Sequence, residues 1–156
     1  MNIKKIDSKL LDETSAKAKV DARLRMNYNI HKHLDEAIHR MLNALEPGTY
    51  IRPHRHLQPP KNESFVILRG AVELIIFDDA GIVIQREKIS QLTGVYGMDL
   101  ESGIWHTLIV LEPNTVIFEV KTGPFVAMND KDFAPWSPEP EDIEGVKQFF
   151  QTLQLE

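Results

Sequence analysis

One spacing restricts this chain more than any other. His54 and His56 are separated by a single residue, inside a stretch that reads GTYIRPHRHLQPPKNESFVILRG over residues 48–70. On a β-strand, side chains two apart share a face, with Cα atoms about 7 Å apart. Imidazole nitrogens that bind an ion at about 2 Å can then meet between them. On a helix the same two rings diverge, so the pair can serve one centre only if the fold supplies strands here. Thr49, Tyr50 and Ile51 are good strand formers, and Tyr50, Arg52, His54 and His56 follow a two-residue period. Gln58-Pro59-Pro60-Lys61-Asn62 reads as a loop. It leads into a second strand from Glu63 to Leu68 that returns Glu63 beside the histidines.

The flanking sequence extends this pattern. From Gly48 to Val120 short β segments alternate with turn signals, the mark of a sandwich or barrel. Ala71 to Phe77 is apolar and β-branched, and Asp78-Asp79-Ala80-Gly81 turns it into a strand at 82–86, the clearest hairpin of the chain. Residues 89–98 form a weaker segment. Glu101-Ser102-Gly103 precedes a strand at 104–111 that carries His106. Glu112-Pro113-Asn114 forms the next tip, before a strand at 115–121, and Gly123-Pro124 closes the β region.

The ends are less regular. Ser8 can cap a helix through about Lys19 with Leu10, Leu11 and Ala18 as its apolar stripe, or the segment is a frayed arm. Residues 23–31 look like an extended segment lying over the domain rather than part of its core. Leu34, Ile38, Met41, Leu42 and Leu45 fit a helical period. The metal motif instead asks for a strand leading into Glu46-Pro47-Gly48. We therefore expect a helical turn at 34–37 and a strand at 38–45. In the tail, Asp132 to Trp136 seals one side of the barrel. A last helix starts at Pro138 or Pro140, with Ile143, Val146, Phe149, Phe150 and Leu153 on its apolar face. The expected division is an arm at 1–37, a barrel at 38–126, and a C-terminal segment and helix at 127–156.

Composition removes several alternatives. The chain has 156 residues, one domain's worth, and a formal charge of -5, which argues against a nucleic-acid partner. It has no cysteine, so disulfides, thiolate metal sites and a cysteine nucleophile are excluded together. Neither a signal peptide nor a membrane-length apolar run is visible, and a cytoplasmic protein without a membrane partner is the expectation.

With Gly48, His54, His56, Glu63 and Gly70 in place, the chain resembles the cupins, whose first motif has this order with a shorter gap before the glutamate. Gly103 and His106 fit the second motif, although Glu101 and Val110 stand where proline and asparagine are usual. More narrowly, RMNYNIH with RMLNALEPGTYIRPHRH, Trp105-His106, FEVKTGP and APWSPE resemble the WbuC family of cupin-fold metalloproteins. The resemblance covers about residues 23–139. It implies an all-β cupin double-stranded β-helix (a jelly-roll barrel) with short terminal helices, a metal at the open end, and a link to surface-polysaccharide biosynthesis.

Three imidazoles and one carboxylate suit one divalent transition metal ion (iron, manganese, nickel, zinc or cobalt) held by His54, His56, Glu63 and His106. Positions left open on the ion would take water or substrate. By strand parity Tyr50, Arg52, Phe65, Ile67, Leu108 and Val110 face the interior, with Arg52 able to pair with an anion or to form a rim salt bridge. Arg25, Asn27, Asn29, Arg40 and Asn43 form a second polar set, a lid or anion-binding edge or simply backbone caps. His31-Lys32-His33 repeats the H-x-H spacing without a glutamate on a return strand, so a solvated patch is expected there, with His31 alone able to reach the pocket. Trp105 is a packing or interface residue. The ligand expected is a small polar molecule, sugar-derived or anionic, and a homodimer is expected. Three functions fit: a metal-dependent isomerase, epimerase or oxygenase, with Glu63, Tyr50 or His31 as the candidate proton carrier, a non-catalytic module that binds a sugar or carboxylate, or a metal-stabilised structural cupin that pairs in a dimer.

Overall fold

The computed structural model describes residues 3–125 and 132–155. Among these described residues ten strands form two five-stranded antiparallel sheets. The first has the order β1 (Arg25–Asn29), β2 (Ile38–Leu45), β9 (Thr115–Thr122), β4 (Glu63–Arg69), β7 (Gly97–Leu100). The second runs β10 (Asp132–Phe133), β3 (His54–Arg55), β8 (Trp105–Val110), β5 (Ala71–Phe77), β6 (Val83–Ser90). This is an all-β jelly roll with helix α1 (Ser8–Val20) at one end of the chain and α2 (Ile143–Leu155) at the other.

The core lies between the sheets. Leu45, Phe65, Ile67 and Ile117 of the first sheet meet Val72, Leu74, Ile76, Leu108 and Val110 of the second. Each set alternates along its strand, so the inward parity expected for Phe65, Ile67, Leu108 and Val110 holds. β5 is buried along its whole length. Its outer residues Ile75 and Phe77 pack with Trp105, Ala134 and Leu153, where the tail and α2 cover the sheet. On the opposite side α1 lays Ala18 on Leu42, Ala44 and Val116.

That second layer explains β2. Met41 and Leu45 face the interior while Leu42 and Ala44 face α1, so a strand apolar on both sides imitates a helical period. Residues 34–37 make a turn and no helix. The 23–31 segment also differs from expectation: β1 pairs with β2 from Arg25↔Leu45 to Asn29↔Met41, so it is an edge strand of the sheet. α1 is capped one residue earlier than expected, by the Asp7 carboxylate accepting from Leu10 N–H at 3.1 Å. α2 begins at Ile143, with the Asp142 carboxylate accepting from Gly145 N–H at 2.9 Å, rather than at either proline. β6 runs on to Ser90, a tight turn follows, and β7 starts only at Gly97, which replaces the single 89–98 segment. The expected boundary at 126/127 lies outside the described residues.

The link from β2 to β3 is not a strand. Residues 49–53 carry no ladder, and β3 has only two residues. Side chains hold this link instead. The Thr49 hydroxyl donates to Arg23 C=O at 2.6 Å, and the Thr107 hydroxyl donates to Ile51 C=O. Gly70 sits between β4 and β5 at φ +78, where a Cβ would lie 2.2 Å from Thr115 Oγ1. Only glycine closes that corner without displacing β9. No helix among the described residues is long and apolar enough to cross a membrane.

Candidate metal centre

β3, the loop after it, β4 and β8 each deliver one or more donors to one point. His54 is paired across the sheet with His106, and His56 follows β3 directly. Glu63 opens β4. One ligand atom from each of His54, His56, Glu63 and His106 lies within 4.8 Å of all the others, and all four residues are buried. His56 Nε2 is 3.0 Å from Glu63 Oε2. That is about the separation of adjacent ligands on an ion whose bonds are about 2.1 Å long.

The backbone fixes the ring orientations. His54 Nδ1 lies 2.9 Å from Arg52 C=O and His106 Nδ1 lies 2.9 Å from Ile104 C=O. A carbonyl only accepts, so each Nδ1 carries the proton and each Nε2 keeps its lone pair for the centre. This is the orienting contact that metal-ligating histidines use. The donor set therefore fits a first-row divalent ion. Its neighbours hold the loop in place: His56 C=O accepts from Gly103 N–H at 3.2 Å and from Lys61 N–H at 3.3 Å.

The cluster opens on a cavity of about 440 Å³ between the sheets. His54, Glu63 and His106 line it, with Phe65, Leu108 and Ile117 as an apolar floor, and Phe125 and Phe133 half exposed among its walls. Four residues expected near a ligand are there: Arg25, Asn27, Asn43 and Phe65. Arg25 lies on the wall with Arg23, and burial together with the Arg23 charge lowers its pKa.

Other expected residues lie elsewhere. Arg52 does not line the cavity. Its guanidinium donates to Ser137 Oγ at 3.1 Å and pairs with Glu139, tying the tail to the barrel. Tyr50 also faces the tail, with its hydroxyl donating to Pro138 C=O at 2.9 Å and its ring edge-on to Phe149 and Phe150. Burial pushes its pKa up to about 12, so it stays protonated and is a poor base. The inward parity assumed for both failed because residues 49–53 are not strand. His31 stacks on His39 at 4.2 Å with Nδ1 3.0 Å from Arg40 C=O, away from the cavity. Of the solvated patch expected at residues 31–33, Lys32 and His33 are exposed, while His31 is buried against His39. Trp105 packs as expected, in the cluster with Phe77 and Trp136.

Sequence reasoning missed Glu119 and Lys121. Both line the cavity from the inner face of β9, and both are buried. Glu119 accepts from Asn43 Nδ2, and Lys121 Nζ lies 3.5 Å from Glu119 Oε1. Lys121 is the cross-strand partner of Glu63, so the pair adjoins the metal ligands. The signal was their shared parity with the apolar Ile117, since charge at inward positions of a barrel strand needs a reason.

Fold and site together define a cupin-type barrel whose His/Glu cluster is fit to hold a metal. By its family model the chain belongs to the family described as "Domain of unknown function (DUF6016)", matched over residues 6–89. None of the curated proteins matches it. Among solved structures it is similar to CapF, the capsular polysaccharide assembling protein of Staphylococcus aureus. That match has a TM-score of 0.59 and 21% identity over 73% of this chain and 30% of that one. L-ribose isomerase of Cellulomonas parahominis gives 0.55 and 14% over 72% and 70%. KdgF of a Halomonas species gives 0.52 and 14% over 69% and 85%. At these identities what is shared is the fold, and the chain spans under a third of CapF.

Proposed function

We propose that this protein is a metal-dependent isomerase or epimerase of a small sugar or sugar nucleotide, a WbuC-type cupin working in surface-polysaccharide metabolism. The observation that carries the reading is the buried four-donor cluster opening on a cavity that also buries a carboxylate outside the ligand set. The donor chemistry supports a divalent ion, and WbuC-like motifs such as FEVKTGP lie on the strands that build the cavity. Two of the similar folds act on or assemble sugars by their names, CapF on capsular polysaccharide and L-ribose isomerase on L-ribose.

A divalent ion held by His54, His56, Glu63 and His106 would supply a Lewis acid for a ligand oxygen. The remaining chemistry falls to the chain. Asn43 and Lys121 hold Glu119 in one place, Asn43 as a donor and Lys121 as a counter-charge. Glu119 takes a proton from the carbon beside the ligand's carbonyl. The C–H electron pair moves into the new carbon–carbon double bond and the carbonyl pair moves onto oxygen. Return of the proton to the former carbonyl carbon, while the adjacent hydroxyl passes its proton to the former carbonyl oxygen, gives the isomer. Protonation of the original carbon by solvent on its opposite face gives the epimer. Phe65, Leu108 and Ile117 keep the cavity floor dry, which strengthens each charged contact.

The test is a panel of aldoses and ketoses incubated with the metal-replete protein in D2O and followed by NMR. Solvent deuterium entering beside the carbonyl of one sugar, with conversion to its isomer or epimer, is the expected outcome. Sugars that raise the melting temperature and are never converted would make the protein a binding module. Oxygen consumption would make it an oxygenase.

A further inference from the structure

The cavity has two charged ends. Glu63 and Lys121 share one cross-strand row with His39, while Arg25 shares another with Leu45. Along β2 these rows are six residues apart, about 20 Å at the rise of a strand. The cluster and the arginine wall therefore occupy opposite ends of one space. The end near β1 is lined by Arg23 and Arg25.

Arg25 is under-used there. It donates from Nη1 to Tyr50 C=O at 2.6 Å. Among the described residues no carboxylate lies within ion-pair distance of it, and its other guanidinium donors have no partner. The adjacent Arg23 is paired with Asp21 at 3.2 Å. Leu24, between the two arginines, is held at φ 55, a left-handed conformation that a leucine rarely adopts. The charge balance points the same way. With Arg23 paired to Asp21, Arg25 and Lys121 balance Glu63 and Glu119 on the cavity wall, and a bound divalent cation would leave the interior positive. A positive interior inside a chain of net charge -5 concentrates anions.

We propose that the β1 end of the cavity binds the anionic group of the ligand, a phosphate ester or a carboxylate on a sugar, and that Arg25 is the residue that reads it. The proposal rests on the reading of the cavity as a sugar site. The anion sits far from the reacting carbon, so its binding energy positions the sugar without touching the chemistry. A guanidinium forks onto either group through two parallel N–H···O bonds, which an ammonium cannot do.

Calorimetry on the metal-replete protein decides this with two pairs of probes, D-ribose against D-ribose 5-phosphate and D-galactose against D-galacturonate. One charged member should bind at least about tenfold more tightly than its neutral partner. The pair that shows the gap identifies phosphate or carboxylate. In Arg25→Gln, which removes the charge and the fork, the gap should shrink to within about twofold, and Arg25→Lys should restore part of it. Equal affinities within both pairs, no binding of any probe, or a gap that survives Arg25→Gln would each overturn the proposal. An Arg25-dependent gap without conversion in D2O leaves the anion site standing and removes the isomerase reading. Conversion of a neutral sugar without any gap does the reverse.

Discussion

Two groups of buried histidines can be compared in this barrel. His54, His56 and His106 lie in or beside β3 and β8, while His31 and His39 lie before and within β2. Both groups are nearly inaccessible. In the first, backbone carbonyls accept from two Nδ1 protons, and one nitrogen of each ring converges with a carboxylate oxygen within 4.8 Å. In the second the rings lie face to face, 5° from parallel, and each turns a nitrogen to a backbone carbonyl, His31 Nδ1 to Arg40 at 3.0 Å and His39 Nε2 to Leu34 at 3.0 Å, with no carboxylate between them among the described residues. Histidine burial alone makes packing, whereas convergent lone pairs with a carboxylate make a site.

The largest effect that would sharpen this contrast is loss of the ion. The double variant His54→Ala/His56→Ala should fall from about one metal per chain to under a tenth, measured by elemental analysis, with its β-sheet circular dichroism kept. His31→Ala should retain the wild-type metal content, and equal losses in both would erase the distinction. Next comes Glu119→Gln, which keeps the shape and the metal but should slow deuterium uptake by about 100-fold or more. An unchanged rate would take Glu119 out of the chemistry.

His39→Ala should act on stability alone. Removing a buried ring that also donates to Leu34 C=O should cost about 2 kcal/mol in denaturant unfolding, with metal content unaffected. The smallest effect is on pH dependence. Burial lowers the His39 pKa from its usual 6.5, a hydrogen bond to Leu34 partly opposes this, and the charges of His31, Lys121 and Lys61 add to the lowering. The unfolded chain then binds the proton more readily than the folded one. This contribution to stability is complete above about pH 6.5 and is lost as pH falls toward the folded pKa. In His39→Phe the acid limb of the stability curve should flatten, and an identical limb would assign it to other groups.

Much of this arrangement was legible in the sequence for a definite reason. His54, His56, Glu63 and His106 are chemically conspicuous, and the turns at Gly48, Gly70 and Gly103 all take positive φ, so spacing and punctuation agreed. What failed was extrapolation of parity through residues 49–53. Side-chain contacts there replace the ladder, and Tyr50 and Arg52 turn toward the tail. β2 was ambiguous because α1 covers its outer face, a tertiary contact that no local pattern reports. Glu119 and Lys121 were hidden because an alternating Glu and Lys in a strand normally marks a solvated face. Only the register of β9 against β2 and β4 shows that this face is the inner one.

The convergence itself is tested most directly by anomalous diffraction from crystals of the protein incubated in turn with iron, manganese, nickel, zinc and cobalt. The account predicts one ion per chain, about 2.0–2.3 Å from His54, His56, Glu63 and His106. An ion held at His31 and His39 instead, or no ion with any of the five metals, would contradict it.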